Sequence, residues 1–189
     1  LLRLVEAGDL DLTFTELAVH DHTGFETRDL LEDPIVFAAP AESPEAELAV
    51  VAVDDIAHLP MIGIRNSDCQ AFVLEAFGHL PEPPNFVFRS DDNPTIQGCI
   101  ASGLAYAVLP LLTLDDHDPS VAIVPIDPQP TPRRLGVAWH ADRRAPAALA
   151  PFVAAATTVC DEFDERWKAW RTARLAEAGR GRGRPRRSA

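Results

Sequence analysis

The chain has 189 residues, of which 47% are hydrophobic and 24% charged, proportions that are ordinary for a soluble globular protein. This length suffices for one sizeable domain or two small lobes, and burial of roughly 70% of the unfolded surface makes a stabilising disulfide or metal unnecessary. No apolar run approaches about 18 residues, which excludes a membrane span, and no signal peptide is visible.

Charge is divided unevenly along the chain. Residues 1–165 hold 28 of the 29 acids and 8 of the 17 bases, whereas residues 166–189 hold 1 acid and 9 bases. The acidic body disfavours nucleic acid by itself, and the basic tail favours it. The cysteines, Cys69, Cys99 and Cys160, are scattered and odd in number, which is typical of small buried side chains in a reducing, cytoplasmic compartment.

The first part of the chain alternates extended and helical patterns. Leu1 already lies within a helical pattern, so we expect the chain to be part of a longer protein. The predicted elements are, in order, a helix that ends at Gly8, strands at 10–14, 25–31, 35–39 and 50–53, one helical turn at 54–59, a strand at 61–64 and a helix at 68–77.

The stretch Asp91 to Pro110 gives the clearest local signals. Asp91, Asp92 and Asn93 are predicted to cap a helix that has a proline in its first turn and ends near Gly103. Strands at 86–89 and 106–109 flank this helix, so they should be parallel and joined by a right-handed crossover. A ligand in such a sheet lies at the carboxyl ends of the strands, beside helix N-termini.

The remaining patterns complete an α/β chain with two crossings. They predict a turn at 111–119, a strand at 121–126, a proline-rich linker at 127–134, a strand at 135–141 and a helix from 145 to about 177. The predicted division is a partial lobe I from residues 1–37 and 127–175, a lobe II from 38–126, and a disordered basic tail at 176–189. A protein divided in this way binds its ligand in the cleft between the lobes.

Five collinear segments within residues 1–165 resemble the LysR-type transcriptional regulators. They are LVEAGDLDLTFTE (4–16), SPEA (43–46), VVAVDDIAHLPMI (50–62), RSDDNPTIQGCIASGLAYAVLP (89–110) and LGVAWHADRRAPAALAPFV (135–153). The resemblance implies their effector-binding domain: a two-lobed α/β fold of the periplasmic-binding-protein type 2 class, with a double-crossover hinge and an incomplete first lobe. Tyr106, Cys99 and the proline density at 128–132 depart from the usual pattern.

The resemblance also implies partners. A small-molecule effector would bind in the cleft between the lobes. DNA would be contacted through a helix-turn-helix upstream of Leu1, which is absent from this chain, and the full-length protein would be a homodimer or homotetramer. We expect no cofactor, no catalytic residue and no enzymatic activity, since no nucleophile–base pair or cofactor motif occurs.

Candidate effector contacts follow from the strand ends. In the family, the Thr of an ATE-like sequence at the position of Thr15 often touches the effector, and Glu16 is its neighbour. Arg65, Asn66 and Ser67 follow a strand and begin a helix, where backbone N–H groups and a positive charge suit an anion. Asp91, Asp92 and Asn93 would form the floor of the cleft. Arg89 ends a strand in the same way as Arg65, but either arginine could instead pair with a nearby acid.

Three alternatives remain open at this point. His20, Asp21 and His22 form the one metal-like cluster in the sequence, but it has two histidines at i, i+2 on a loop and no third ligand in view, so no metal is predicted. Arg182 and Arg184 flank a glycine as in an AT-hook, whereas a generic basic tail would bind phosphates without base preference. The rival to a regulator sensing a small, anionic metabolite is a free-standing solute-binding protein of the same fold that does not bind DNA.

Overall fold

A computed structural model of the chain describes residues 1–65, 69–144 and 146–182, without the side chains at 69, 181 and 182. Contacts divide the chain into two units. Unit 1 comprises Leu1–Asp33 and Arg133–Lys168, and unit 2 comprises Pro34–Pro132 and the chain from Ala169 onward. The sequence placed the lobe boundaries after residues 37 and 126, and the assignment of lobes stays a prediction.

Unit 1 is built on a small antiparallel sheet of three strands, in the order β1-β8-β2. Its elements are α1 (Leu2–Ala7), β1 (Leu12–Glu16), β2 (Phe25–Asp33), β8 (Arg133–His140) and the first part of α5 (Leu149–Arg182). Its buried hydrophobic side chains are Val5, Leu31, Val137, Ala138 and Leu149. Helix α1 ends at Gly8, whose φ of 90° is left-handed, as predicted.

Unit 2 contains a five-stranded mixed sheet in the order β5-β4-β6-β3-β7. Its elements are β3 (Ile35–Pro40), α2 (Val53–Ile56), β4 (Met61–Ile64), α3 (Cys69–Ala76), β5 (Phe86–Ser90), α4 (Asn93–Ala101), β6 (Tyr106–Pro110) and β7 (Val121–Pro125), with single 3-10 turns at Pro44–Glu47 and Leu111–Thr113. Phe37 belongs to one apolar cluster and its neighbour Ala38 to another, so the sheet is covered on both faces.

The predicted strand–helix–strand unit at 86–110 is confirmed as β5, α4 and β6. Both strands run parallel to β4, which lies between them. All four residues of β4 are buried, whereas two of the five residues of β5 are exposed. The fully buried strand β4 therefore lies inside the sheet, and β5 forms the edge.

Two predicted elements differ from the structure. Residues 50–53 do not form a strand: Val51 makes one isolated bridge to Ile126, and Val53 already begins α2. Asp54 and Asp55 in the first turn favour a helix start there, which outweighs the β-branched run. Helix α5 extends to Arg182, so residues 176–182 of the predicted disordered tail are helical, while residues 183–189 lie outside the described chain.

Helix α5 continues beyond residue 168, and half-buried side chains on one of its faces form hydrogen bonds there. Arg171 donates from Nε to Gln129 Oε1 at 3.0 Å, and Arg174 donates to the carbonyl of Leu48. Arg174 also pairs with Glu177. Across the described ranges, no helix, α5 included, is both long enough and apolar enough to cross a membrane.

Candidate functional site

Arg65 and Arg89 lie at the carboxyl ends of the neighbouring parallel strands β4 and β5. Nη2 of Arg65 donates to the carbonyl of Arg89 at 3.3 Å, and Nη1 of Arg89 donates to the carbonyl of Ile64 at 3.2 Å. Each guanidinium is thus held by a backbone oxygen of the neighbouring strand's end.

The side chain of Arg89 packs against an aromatic ring of its own strand. Its guanidinium lies 4.2 Å from the centre of the Phe86 ring, which is a cation–π contact. A Cβ at Gly63 would come within 2.8 Å of the Phe86 ring and 2.9 Å of Arg89 Nη1. The absence of a side chain at Gly63 is therefore what allows Arg89 to lie across β4.

The acids that follow β5 hold backbone N–H groups. Asp91 Oδ1 accepts the N–H of Arg65 at 3.0 Å. Asp92 is the N-cap of α4, as predicted, and its Oδ2 accepts the N–H of Thr95 at 2.9 Å and the Thr95 hydroxyl at 2.6 Å. The Thr95 hydroxyl, and then its N–H, lower the pKa of the Asp92 carboxyl from its ordinary value. Asn93 is exposed in the first turn of α4. The start of α4 is therefore already occupied by a carboxylate.

The start of α3 contributes a residue that the sequence did not single out. Gln70 is buried, with 8% of its surface exposed, and its Oε1 accepts the N–H of Ile64 at 2.9 Å. Its Nε2 is buried and has no hydrogen-bond partner among the described residues. Val73 and Phe77 follow at helical spacing on the same buried face, which is the signal that could have revealed Gln70. The predicted contacts Asn66 and Ser67 lie outside the described residues.

Thr15 and Glu16 lie at the end of β1 in unit 1, but on opposite faces of the strand. Thr13 and Thr15 are buried while Phe14 is exposed, which is the alternation of a strand with one covered face. Thr15 Oγ1 lies 3.2 Å from His22 Nε2, so the threonine hydroxyl already has a polar neighbour. A ligand on one face of β1 therefore does not contact the side chains of both Thr15 and Glu16 on that face.

Glu16 belongs to a cluster of charged side chains that the sequence did not predict. Arg133 donates from Nε and Nη2 to Asp33 Oδ2 at 3.1 and 2.6 Å, and from Nη1 to Glu16 Oε1 at 3.2 Å. The side chains of Asp33, Arg133 and Glu16 are 0%, 12% and 15% exposed. Arg133 pairs in register with Asp33, and Glu16 pairs with Leu135 two residues further along β8. The register thus places all three on one face.

An open cavity of about 510 Å³ within unit 1 has one member of this cluster, Glu16, in its wall. It combines apolar and polar walls. Its lining residues are Leu1, Leu2, Arg3, Phe14, Thr15, Glu16, His20 and Leu135.

The segment at 20–22 forms hydrogen bonds that are typical of a loop, and the absence of a metal there stays a prediction. Asp21 Oδ1 accepts the N–H and the hydroxyl of Thr23 at 2.9 and 2.7 Å, and these bonds lower the pKa of the Asp21 carboxyl. Among the described residues, Asp115, Asp116 and His117 are close enough to share an ion, but all three are exposed. The side chain of Arg182 and the whole of Arg184 lie outside the described structure.

Comparisons with known proteins identify the family. The model of the LysR substrate binding domain matches residues 1–161. HinK, a LysR family transcriptional regulator from Pseudomonas aeruginosa, is 21% identical with a TM-score of 0.74, over 85% of this chain and 56% of HinK. The C-terminal domain of a LysR family regulator from Rhodococcus sp. RHA1 is 22% identical with a TM-score of 0.71, over 82% of this chain and 78% of that domain.

A third similar structure is the regulatory domain of Synechocystis PCC6803 CcmR in complex with 2-PG, which is 20% identical with a TM-score of 0.70 over 84% of this chain and 77% of that one. A search of curated proteins found no match. The chain spans only 56% of the length of HinK. The family model confirms the resemblance drawn from the five segments. This chain therefore belongs to the LysR family of transcriptional regulators and covers their substrate-binding domain, which has the periplasmic-binding-protein-like α/β fold.

Proposed function

We propose that this chain is the effector-sensing part of a LysR-family regulator and that its effector is a small anionic metabolite. The observation that carries the proposal is the pair of guanidinium groups, Arg65 and Arg89, at the carboxyl ends of adjacent parallel strands. Ligands of such sheets bind at this edge. Arginine binds carboxylates and phosphates through two parallel N–H donors, so an anion is the ligand that this edge fits.

The neighbouring groups divide between binding and support. Asp92 already occupies the start of α4, so a ligand anion is directed to the β4–α3 side, where Arg65 lies and where Asn66 and Ser67 were predicted to contact it. Asp91 supports this side by holding the backbone of Arg65. Thr15 remains a proposed contact contributed by unit 1.

The proposed role is regulatory rather than catalytic. Binding of the effector would favour one arrangement of the full-length protein over another, by as much as its affinity differs between them. DNA binding would come from a helix-turn-helix outside this chain, in a cytoplasmic homodimer or homotetramer. The complex of the similar CcmR regulatory domain with 2-PG supports a small-molecule ligand for this fold.

The test is a thermal-shift screen of the full-length protein with carboxylic acids and phosphate esters, each acid paired with its neutral amide. A ligand at 100 times its Kd adds about 2.7 kcal/mol of stability. We expect acids, and not their amides, to stabilise the protein. Arg65→Gln should weaken the best acid about tenfold through loss of charge-assisted hydrogen bonds.

Arg28→Gln is the matched control, because Arg28 is an exposed arginine on β2 of the other unit. Equal stabilisation by acids and amides would overturn the anionic effector, as would an unchanged Kd in Arg65→Gln. Failure of the full-length protein to retard any duplex from its own gene's upstream region would favour the solute-binding rival instead.

A further inference from the structure

The charged cluster of unit 1 is asymmetric. Arg133 gives two donors, Nε and Nη2, to the fully buried Asp33, at 3.1 and 2.6 Å. It gives Nη1 to Glu16 across the longer distance of 3.2 Å. One guanidinium therefore serves two carboxylates. The Asp33 contact is the shorter and more buried, and Glu16 is the partner that exchanges more easily.

The surroundings of Glu16 provide room for a ligand. Glu16 lines the 510 Å³ cavity together with Arg3, His20 and apolar side chains. Leu135, its cross-strand partner, lines the same cavity. The two basic side chains and the apolar side chains in the wall of this cavity suit a small organic anion.

We propose that Glu16 competes with a bound anion: the carboxylate or phosphate of a small anion takes the Nη1 donor of Arg133 that Glu16 holds in this structure. The inference concerns unit 1 alone and goes beyond the proposed anion contacts at Arg65 and Arg89. It also changes the role of Glu16, because sequence analysis predicted a direct effector contact, whereas a resident carboxylate repels an incoming anion and must be displaced.

The physical reason for such an arrangement is that Arg133 exchanges one anionic partner for another. Binding replaces one carboxylate on Arg133 by another anion, so the guanidinium keeps a partner and Asp33 keeps its ion pair throughout. A bare Arg133 Nη1 would hold any anion of the cell. Glu16 therefore excludes anions that would bind Arg133 alone, and only an anion that also contacts the cavity displaces it.

The test is isothermal titration calorimetry of the full-length protein with two probes used separately, malonate and inorganic phosphate. Glu16→Gln preserves size and removes the competing charge, and we expect it to tighten binding of at least one probe about threefold to tenfold. Arg133→Lys retains a cation for Asp33 but lacks the forked donors, and we expect it to weaken that probe about tenfold. The two probes distinguish a carboxylate from a phosphate ligand.

Two further variants make the outcome specific. Arg134→Gln is the control, since Arg134 is the next residue on β8 and pairs with Asp29 at the surface, and it should change affinity less than about twofold. In the double variant Glu16→Gln/Arg133→Lys the tightening should disappear. Thermal melts of each variant show whether it is folded at the titration temperature; if Arg133→Lys is not folded, the comparison of Glu16→Gln with wild type decides alone.

Weaker binding in Glu16→Gln would show a direct contact and overturn the inference, as would unchanged binding or a tightening that survives in the double variant. Failure of both probes with wild type and Glu16→Gln would overturn it too. The proposed function fails separately, by loss of the acid preference in the ligand screen or by an unchanged Kd in Arg65→Gln.

Discussion

Asp33 and Arg133 lie directly opposite each other on β2 and β8, joined at 2.6 Å, with the Asp33 side chain wholly buried. Asp33 is the last residue of unit 1 before Pro34, and Arg133 is the first after Pro132. The pair therefore joins, within unit 1, the point where the chain first leaves the unit and the point where it returns. A buried charge in such a pair is stable only while its partner is present.

Removing one member of this pair should be costly. Asp33→Ala leaves Arg133 buried without its main partner, and we expect the free energy of unfolding to fall by about 3–5 kcal/mol, measured by urea denaturation. Asp29→Ala breaks the neighbouring pair with Arg134, whose side chains are 47% and 51% exposed. That change should cost less than about 1 kcal/mol. Similar losses of unfolding free energy in the two variants would show that the buried pair stabilises the protein no more than the exposed pair does.

Local signals were sufficient to predict most elements of the fold. The cap at Asp92, the glycine stops and the short apolar runs depend on neighbours within a few residues, and they correctly located α4, β4 and β6. The order of strands did not follow from such signals, because the position of β4 between β5 and β6 depends on burial across the whole sheet. The valine-rich run near Val51 shows the limit of β-strand propensity as a predictor. Helix α2 begins at Val53, and the two acids that follow favour a helix start there.

The candidate site was predicted only in part, because local signals reveal some of its residues and not the contacts between distant ones. Arg65 and Asp91 end or follow strands, which the sequence shows directly. Arg133 was missed because its partner Asp33 is 100 residues away in the chain, and only the register of β2 on β8 joins them. The spacing of Gln70 with Val73 and Phe77 indicates that Gln70 is buried, but it does not show that the side chain accepts the N–H of Ile64.

Tyr106, the one tyrosine of the chain, gives a spectroscopic test of unit 2. Its ring stacks on Phe37 at 5.6 Å, and its hydroxyl donates to Glu45 Oε2 at 2.7 Å. Burial, and then the bond to Glu45, raise the pKa of the Tyr106 phenol above its ordinary value of 10.0. Ultraviolet titration should therefore show a single midpoint above that value. Glu45→Gln should lower the midpoint without restoring the ordinary value, because burial remains the larger cause.

The same shift predicts a dependence of stability on pH. The folded-state pKa is raised, so the contribution of Tyr106 is fully present below pH 10.0 and is lost as pH rises through the folded-state value. Tyr106→Phe keeps the stack and removes the hydrogen bond, and it should cost about 1 kcal/mol at neutral pH. The difference between wild type and this variant should shrink in alkali; a constant difference would refute the linkage.

Asp92 provides the opposite sign of linkage. Its pKa is lowered from 3.8 by the Thr95 hydroxyl and N–H, so its stabilising effect is present above pH 3.8 and is lost as pH falls through the folded-state value. Asp92→Ala should lower the urea midpoint at pH 7 because α4 loses its cap. The gap between wild type and variant should close in acid. Asp11→Ala, at an exposed loop position, is the control and should leave the urea midpoint at pH 7 unchanged.

Gly63→Ala tests whether the proposed anion site depends on the placement of Arg89. An added Cβ would lie 2.8 Å from the Phe86 ring and 2.9 Å from Arg89 Nη1, so both must move. We expect a loss of about 1–3 kcal/mol in the free energy of unfolding, together with weaker binding of the best acid from the ligand screen. Gly98→Ala is the matched control, because nothing lies within 4 Å of its added Cβ and alanine favours the helix. That control should bind the acid as wild type does and be more stable by about 0.5–1 kcal/mol. If Gly63→Ala binds the acid as tightly as wild type does while losing stability, Arg89 supports the strand edge without contributing to recognition, and Arg65 alone carries the site.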